Sequence, residues 1–161
     1  MLKKEILQEK IGQVIGLETA AQQTVETLNS KGLLRGEHMN KLSKMNIGAD
    51  KQEFKMKQWI EILSNSHRLD ASKITDEAVQ TTLRSSAFME TYLGEEPDTQ
   101  DALEFLCIAE VVKVTHYKVL KSAAKVLKNK KFRDRLTSIL KKEKKYFELC
   151  IKLAKKNALS Q

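Results

Sequence analysis

The stretch 102-ALEFLCIAEVVKVTHYKVL-120 decides how this chain is read. Leu103, Leu106, Glu110, Val114, Tyr117 and Leu120 recur at three- and four-residue steps, the period of one helix face. The remaining faces are also largely apolar, so a helix here is expected to be the most buried element of the fold. Glu110 interrupts the stripe with a carboxylate. Such a group is costly in a core unless it is paired, protonated or bound to a cation. Two other stretches repeat the pattern. Ile11, Val14, Ile15, Glu18, Ala21 and Val25 share one face, and so do Phe132, Leu136, Ile139, Leu140, Glu143, Phe147 and Cys150.

Working outward, the same period predicts further helices. A first helix is expected over about Lys3 to Ser30, stopping at Gly32. Its Gly12 and Gly16, four apart, permit close approach of another backbone. Residues 31–48 read as a connection with a short helical turn near Glu37 to Ser43. A second helix runs from about Ala49 to Arg68, with Met56, Trp59, Ile60 and Leu63 inward and His67 one turn on. Asp70, Ser72 and Thr75 offer caps for a shorter helix from about Asp76 to Leu93. Gly94 to Thr99, with Pro97, is the clearest break. A fourth helix is expected over about Thr99 to Leu127 and a fifth over about Lys131 to Asn157. The short turn at Asn129 makes these two antiparallel neighbours. The expectation is a single all-α domain over residues 1–161, an antiparallel bundle of four long helices plus a short one.

Composition agrees. One Pro and six Gly in 161 residues are too few for the turns of an all-β fold, and 31% of residues are charged. No apolar run reaches the roughly 18 residues of a membrane span. The start, Met1-Leu2-Lys3-Lys4-Glu5, lacks the apolar core of a signal peptide, so a cytoplasmic location is the default. Cys107 and Cys150 stand among apolar neighbours and read as reduced core thiols. The net charge of +8 divides unevenly: residues 1–112 balance to −5 and residues 113–161 to +13. A solvated lysine face is the ordinary outcome of such a run. Nucleic-acid binding through the basic C-terminal helices is the functional alternative.

No phosphate loop, Cys-x-x-Cys pair or nucleophile–base motif is visible. The carboxylates carry the only chemical signal. A di-metal bundle uses a Glu from each of two helices and a Glu-x-x-His from each of the other two. Three residues before His67 is Ser64, and three before His116 is Lys113, so that constellation is absent. The candidate metal ligands are Glu18, Glu110, His116 and Glu143, with His67 in reserve. The competing reading is that the glutamates form buried ion pairs with Lys113 or Lys144, or tilt toward the surface.

The last third of the chain resembles a known family. Asp101-Ala102-Leu103, Lys113-Val114-Thr115-His116-Tyr117-Lys118-Val119, Ala123 to Leu127, Leu136 to Leu140, Lys142-Glu143-Lys144 and Leu149 to Ala154 follow the order of the YciE/YciF-type ferritin-like proteins. The resemblance implies a ferritin-like four-helix bundle, a presumed di-metal centre, a stress setting and a homodimer. The family's stretch around His116 reads Val-Glu-His-Tyr-Glu, and Thr115 and Lys118 stand where its glutamates are expected. Glu143 matches the family's last-helix carboxylate. Glu18 is the counterpart of its first-helix glutamate. A lysine ammonium can take the place of a cation between carboxylates.

The leading expectation is therefore a bundle with a lost or altered metal centre, no resident cofactor, no enzymatic turnover, and a structural or binding role as a homodimer. An iron or manganese protein handling oxygen or peroxide is the alternative.

Overall fold

A computed structural model describes residues 3–160; Met1 and Leu2 of the start read above, and Gln161, lie outside the described residues. The fold is all-helical: α1 Lys3–Ser30, α2 Gly36–His67, α3 Ala71–Leu93, α4 Thr99–Ala123 and α5 Lys130–Leu159, with a 3-10 turn Ala124–Leu127 closing α4. Local chemistry sets the boundaries. Asp70 accepts from the Lys73 amide at the start of α3, Asp98 from Asp101 at α4, and Asn129 from Phe132 at α5. Gly94 ends α3 at a φ of 69°, in the region that favours glycine.

Contacts along the helices give their directions. Thr19 of α1 donates to Glu53 of α2, and Asn46 of α2 donates to the Gln22 carbonyl of α1, so α2 runs antiparallel to α1. Leu17 and Ala20 line one cleft with Phe105 and Ala109, while Lys3 and Ile6 line another with Ser122, so α4 is also antiparallel to α1. Helix α5 pairs with α4 from Gln100–Asn157 at one end, and with α2 from Met45–Cys150 to Trp59–Phe132, beyond which His67 of α2 meets Leu127 of the 3-10 turn. Helices α2 and α4 therefore point the same way. Helix α3 carries the chain back along the whole length between them, parallel to α1.

Glycine makes that return close. A Cβ at Gly12 would stand 2.6 Å from the Ile74 carbonyl oxygen, and one at Gly16 2.5 Å from that of Ala78. Thr82 donates to the Gly16 carbonyl, and the Asp70 amide to Gln8. The Gly12/Gly16 pair is used as its spacing suggests.

Three expectations are corrected. First, α2 begins at Gly36, so residues 36–48 are helix rather than connection. Gly48, the last residue of that expected connection, is the site where the Tyr146 hydroxyl packs against the helix surface in the space a Cβ would take. Second, α3 is the shortest of the five α-helices, as expected, but it begins at Ala71 rather than Asp76 and at 23 residues nearly matches the 25 of α4. It starts at the Asp70 cap, the first of the three offered. Third, α1 rather than α4 is the most enclosed element. Half of its 28 residues are buried, since α2, α3 and α4 all pack on it, whereas Val111 and Val119 of α4 face outward.

The apolar interior has two parts. One gathers Leu7, Ile11, Met56, Tyr117, Phe132 and Leu136; the other gathers Leu28, Leu42, Met45, Leu103, Leu106 and Cys150. Between them lies a polar layer supplied by α1, α2, α4 and α5.

Candidate functional site

That layer is built from Glu18 of α1, Gln52 of α2, Glu110 and Lys113 of α4, and Glu143 of α5, with Tyr117 beneath it. Each is nearly or wholly excluded from solvent. The Lys113 ammonium is the hub. Its Nζ stands 2.6 Å from Glu18 Oε1, 3.0 Å from Glu143 Oε2 and 3.3 Å from Glu110 Oε1. An ammonium has three N–H donors and no acceptor, and here three carboxylates meet it. The Tyr117 hydroxyl donates to Glu18 Oε2 at 3.0 Å. The Gln52 amide, oriented by its hydrogen-bond network, donates to Glu143 Oε1 and Glu18 Oε2.

One cation faces three acids, and the site holds protons to relieve the excess. Burial raises all three carboxyl groups, and Lys113 opposes it. Glu110 is pushed up to about 8 and Glu143 to about 7. Glu110 keeps its proton and hydrogen-bonds Glu143, which raises the first and lowers the second. Burial alone would lower Lys113, but Glu110, Glu18 and Glu143 together hold it well above its ordinary range. Tyr117 is raised by burial and by the Glu18 carboxylate, so it remains a neutral donor. A lysine so firmly protonated is a fixed charge and not a nucleophile.

The three predicted glutamates thus come together. His116 does not join them. It is half-buried, its Nδ1 lies 2.9 Å from the Val112 carbonyl, and it lines an outer groove between α1, α3 and α4 with Glu9 and Gln13. The reserve candidate His67 caps the far end of the molecule, with Nε2 3.2 Å from the Leu127 carbonyl. Of the two lysines considered as partners, Lys113 is the interior one and Lys144 is exposed. Thr115 and Lys118, the positions compared with the family's glutamates, are exposed as well.

Gln52 was not among the candidates. A lone glutamine upstream of the Met56–Leu63 stripe looks like surface. Its signal lies in the helix period: it falls one turn before Met56 on the same face.

The constellation can be set against a di-metal bundle residue by residue. Two helices give single side chains, Glu18 and Gln52. The other two give pairs at i, i+3: Glu110-x-x-Lys113 and Glu143-x-x-Tyr146. The spacing is that of Glu-x-x-His, with lysine and tyrosine in the histidine positions. These residues do not fit a di-metal centre. No imidazole faces the carboxylates, and the Lys113 ammonium fills the space between them. Among the described residues, no three His, Cys, Asp or Glu side chains form a group that could hold a metal ion. Nor is any described helix long and apolar enough to cross a membrane. Comparison of the chain with protein-family models, curated proteins and solved structures gives no match.

Proposed function

We propose that this chain is a ferritin-like four-helix bundle of the YciE/YciF type in which an internal lysine has taken over the role of the metal, leaving a structural or binding protein rather than a redox enzyme. The observation that carries the reading is Lys113 Nζ, within 3.3 Å of three buried carboxylates from three helices. The chain path supports it. Helices α1, α2, α4 and α5 surround the cluster, and one long crossover joins two parallel members, the connectivity of ferritin-like folds. In this chain α3 makes the crossover. The role is stress-associated and carried out as a homodimer, as the resemblance implies, and is cytoplasmic, the default for a start without the apolar core of a signal peptide.

Metal analysis tests the central part. Protein purified without chelator is expected to carry iron and manganese far below one equivalent per chain. Lys113→Ala is expected to leave that content unchanged in the folded protein, because the histidine positions remain unfilled. Two equivalents of either metal in the wild type, lost on Glu110→Ala and Glu143→Ala, would overturn the reading in favour of an oxygen- or peroxide-handling protein. Light scattering tests the assembly: the expected mass is twice the 18.4 kDa of the chain, and the monomer mass at micromolar concentration counts against it.

A further inference from the structure

The strongest charge feature outside the interior cluster is the outer seam between α2 and α5. The pairings Gly48–Tyr146 and Trp59–Phe132 fix how these helices face one another. Lys51 and Lys55 form one bank of the seam, and Arg135 and Lys142 the other. They are close enough that Lys55, lowered by burial, is lowered further by Arg135, Lys142 and Lys51. No carboxylate lies within ion-pair distance of any of the four among the described residues.

The acids of these helices nearest in sequence to the banks lie off the line of Lys55 and Arg135. At about 100° per residue, Asp50, Glu53 and Glu61 fall roughly 100° or more around α2 from Lys55. Asp134 and Glu148 fall as far around α5 from Arg135. Glu53 is turned to α1, where Thr19 and Lys57 meet it. Phe54, an aromatic ring 62% exposed, follows Lys51 by three residues on α2 and so neighbours that bank, with Asp50 one turn before it. Uncompensated cations held together by a fold repel one another, and a polyanion relieves that repulsion. An exposed ring beside them offers a face on which any base can stack.

We propose that the α2/α5 seam binds the sugar-phosphate backbone of a single-stranded nucleic acid, with Lys51, Lys55, Arg135 and Lys142 on the phosphates and Phe54 as the stacking platform. Single strand is favoured over duplex because the banks flank a seam between two helices rather than a projecting recognition element, and because the ring needs an unpaired base. The inference is independent of the interior cluster and stands whether or not that cluster binds metal.

The test is fluorescence anisotropy of a labelled single-stranded oligonucleotide of mixed sequence, titrated with the full chain at several salt concentrations. Four phosphate contacts on a single strand predict a roughly 50-fold weakening for a fourfold rise in salt. Lys55→Glu with Arg135→Glu should weaken binding and reduce that salt effect to roughly sevenfold or less. Phe54→Ala should weaken binding about fivefold or more at every salt concentration, with the salt dependence unchanged. These side chains are exposed or half-exposed, and unchanged circular dichroism confirms that each variant is folded. The control Lys121→Glu with Lys125→Glu, away from the seam, should bind nearly as the wild type does. Equal loss in the control, no binding at low salt, or binding to vesicles of anionic phospholipid without binding to the oligonucleotide would each overturn the proposal.

Discussion

Replacing Lys113 with methionine removes the interior charge while keeping most of the side-chain volume. Three carboxylates are then left without their cation in a layer where Glu18 and Glu143 have no measurable exposure and Glu110 almost none. Removing one partner of a buried ion pair costs about 3–5 kcal/mol. The loss cannot simply be multiplied by three, because the acids can take up protons, as Glu110 already does. A value of about 4 kcal/mol at neutral pH corresponds to a fall in Tm of roughly 8–16 °C for a chain of this size. Proton uptake also sets the pH dependence. With the ammonium gone, the folded-state pKa values of the carboxyl groups rise further, and the folded form must hold protons that the unfolded chain releases above about 4.3. The deficit therefore grows as pH rises. Thermal unfolding followed by circular dichroism at pH 5.5 and pH 8 measures both quantities. Adding Glu18→Gln to the variant should recover part of the loss. A methionine variant as stable as the wild type at pH 8, or a deficit that does not change with pH, would refute the claim that the charge of Lys113 holds this layer together.

The wild type should show a weaker version of the same dependence. Glu110 and Glu143, raised from 4.5 to about 8 and about 7, bind protons in the folded state that the unfolded state lacks, so stability falls as pH rises through that window. Between pH 6.5 and 8, above the range where the lowered His38 acts in the opposite sense, Tm should drop by roughly 4–8 °C; a rise would contradict the raised values. Gly16→Ala gains helix propensity, yet its Cβ meets backbone of α3 at 2.5 Å. A net loss of about 1–2 kcal/mol in urea unfolding is expected, and a gain would show that α3 can retreat. Gly48→Ala should destabilise the wild type and do so less in a Tyr146→Phe background, where the hydroxyl is gone and only ring carbons, the nearest at 2.9 Å, crowd the Cβ position. Equal effects in both backgrounds would show that the two residues do not compete for the space.

Much of this was legible in the residue pattern, and the misses have physical causes. The stripes placed Glu18, Glu110 and Glu143 inside because a carboxylate among isoleucines and leucines at helical spacing has no outward face available. The cation was harder. Reading back three residues from His67 and His116 finds Ser64 and Lys113, and suggests only that a motif is missing. Reading forward three residues from Glu110 and Glu143 finds Lys113 and Tyr146, and shows what replaced it. Lysine is ordinarily a surface residue, and Lys113 is distinguished from Lys118 only by lying one turn beyond Glu110 on the inner face. The start of α2 was obscured by Gly36 and Gly48, which lower helix propensity. At Gly48 tertiary packing outweighs that preference, because Tyr146 needs the space. The exposure of Val111 and Val119 shows why an apolar run does not rank burial: α4 has no neighbour on that side, whereas α1 has three.

The hydrogen bond from Tyr117 to Glu18 joins residues 99 positions apart. During synthesis α1 and α2 emerge long before α4, so their shared surface carries an acid whose counter-charge does not yet exist. An α1–α2 pair formed alone buries Glu18 without its cation, at the cost of a bound proton or a wet interface. Only when α4 arrives, bringing Lys113 and Tyr117 together one turn apart, does the interior become neutral enough to dry. Closing the first half of the chain into a dry interior thus draws on charge and a hydroxyl that the second half supplies.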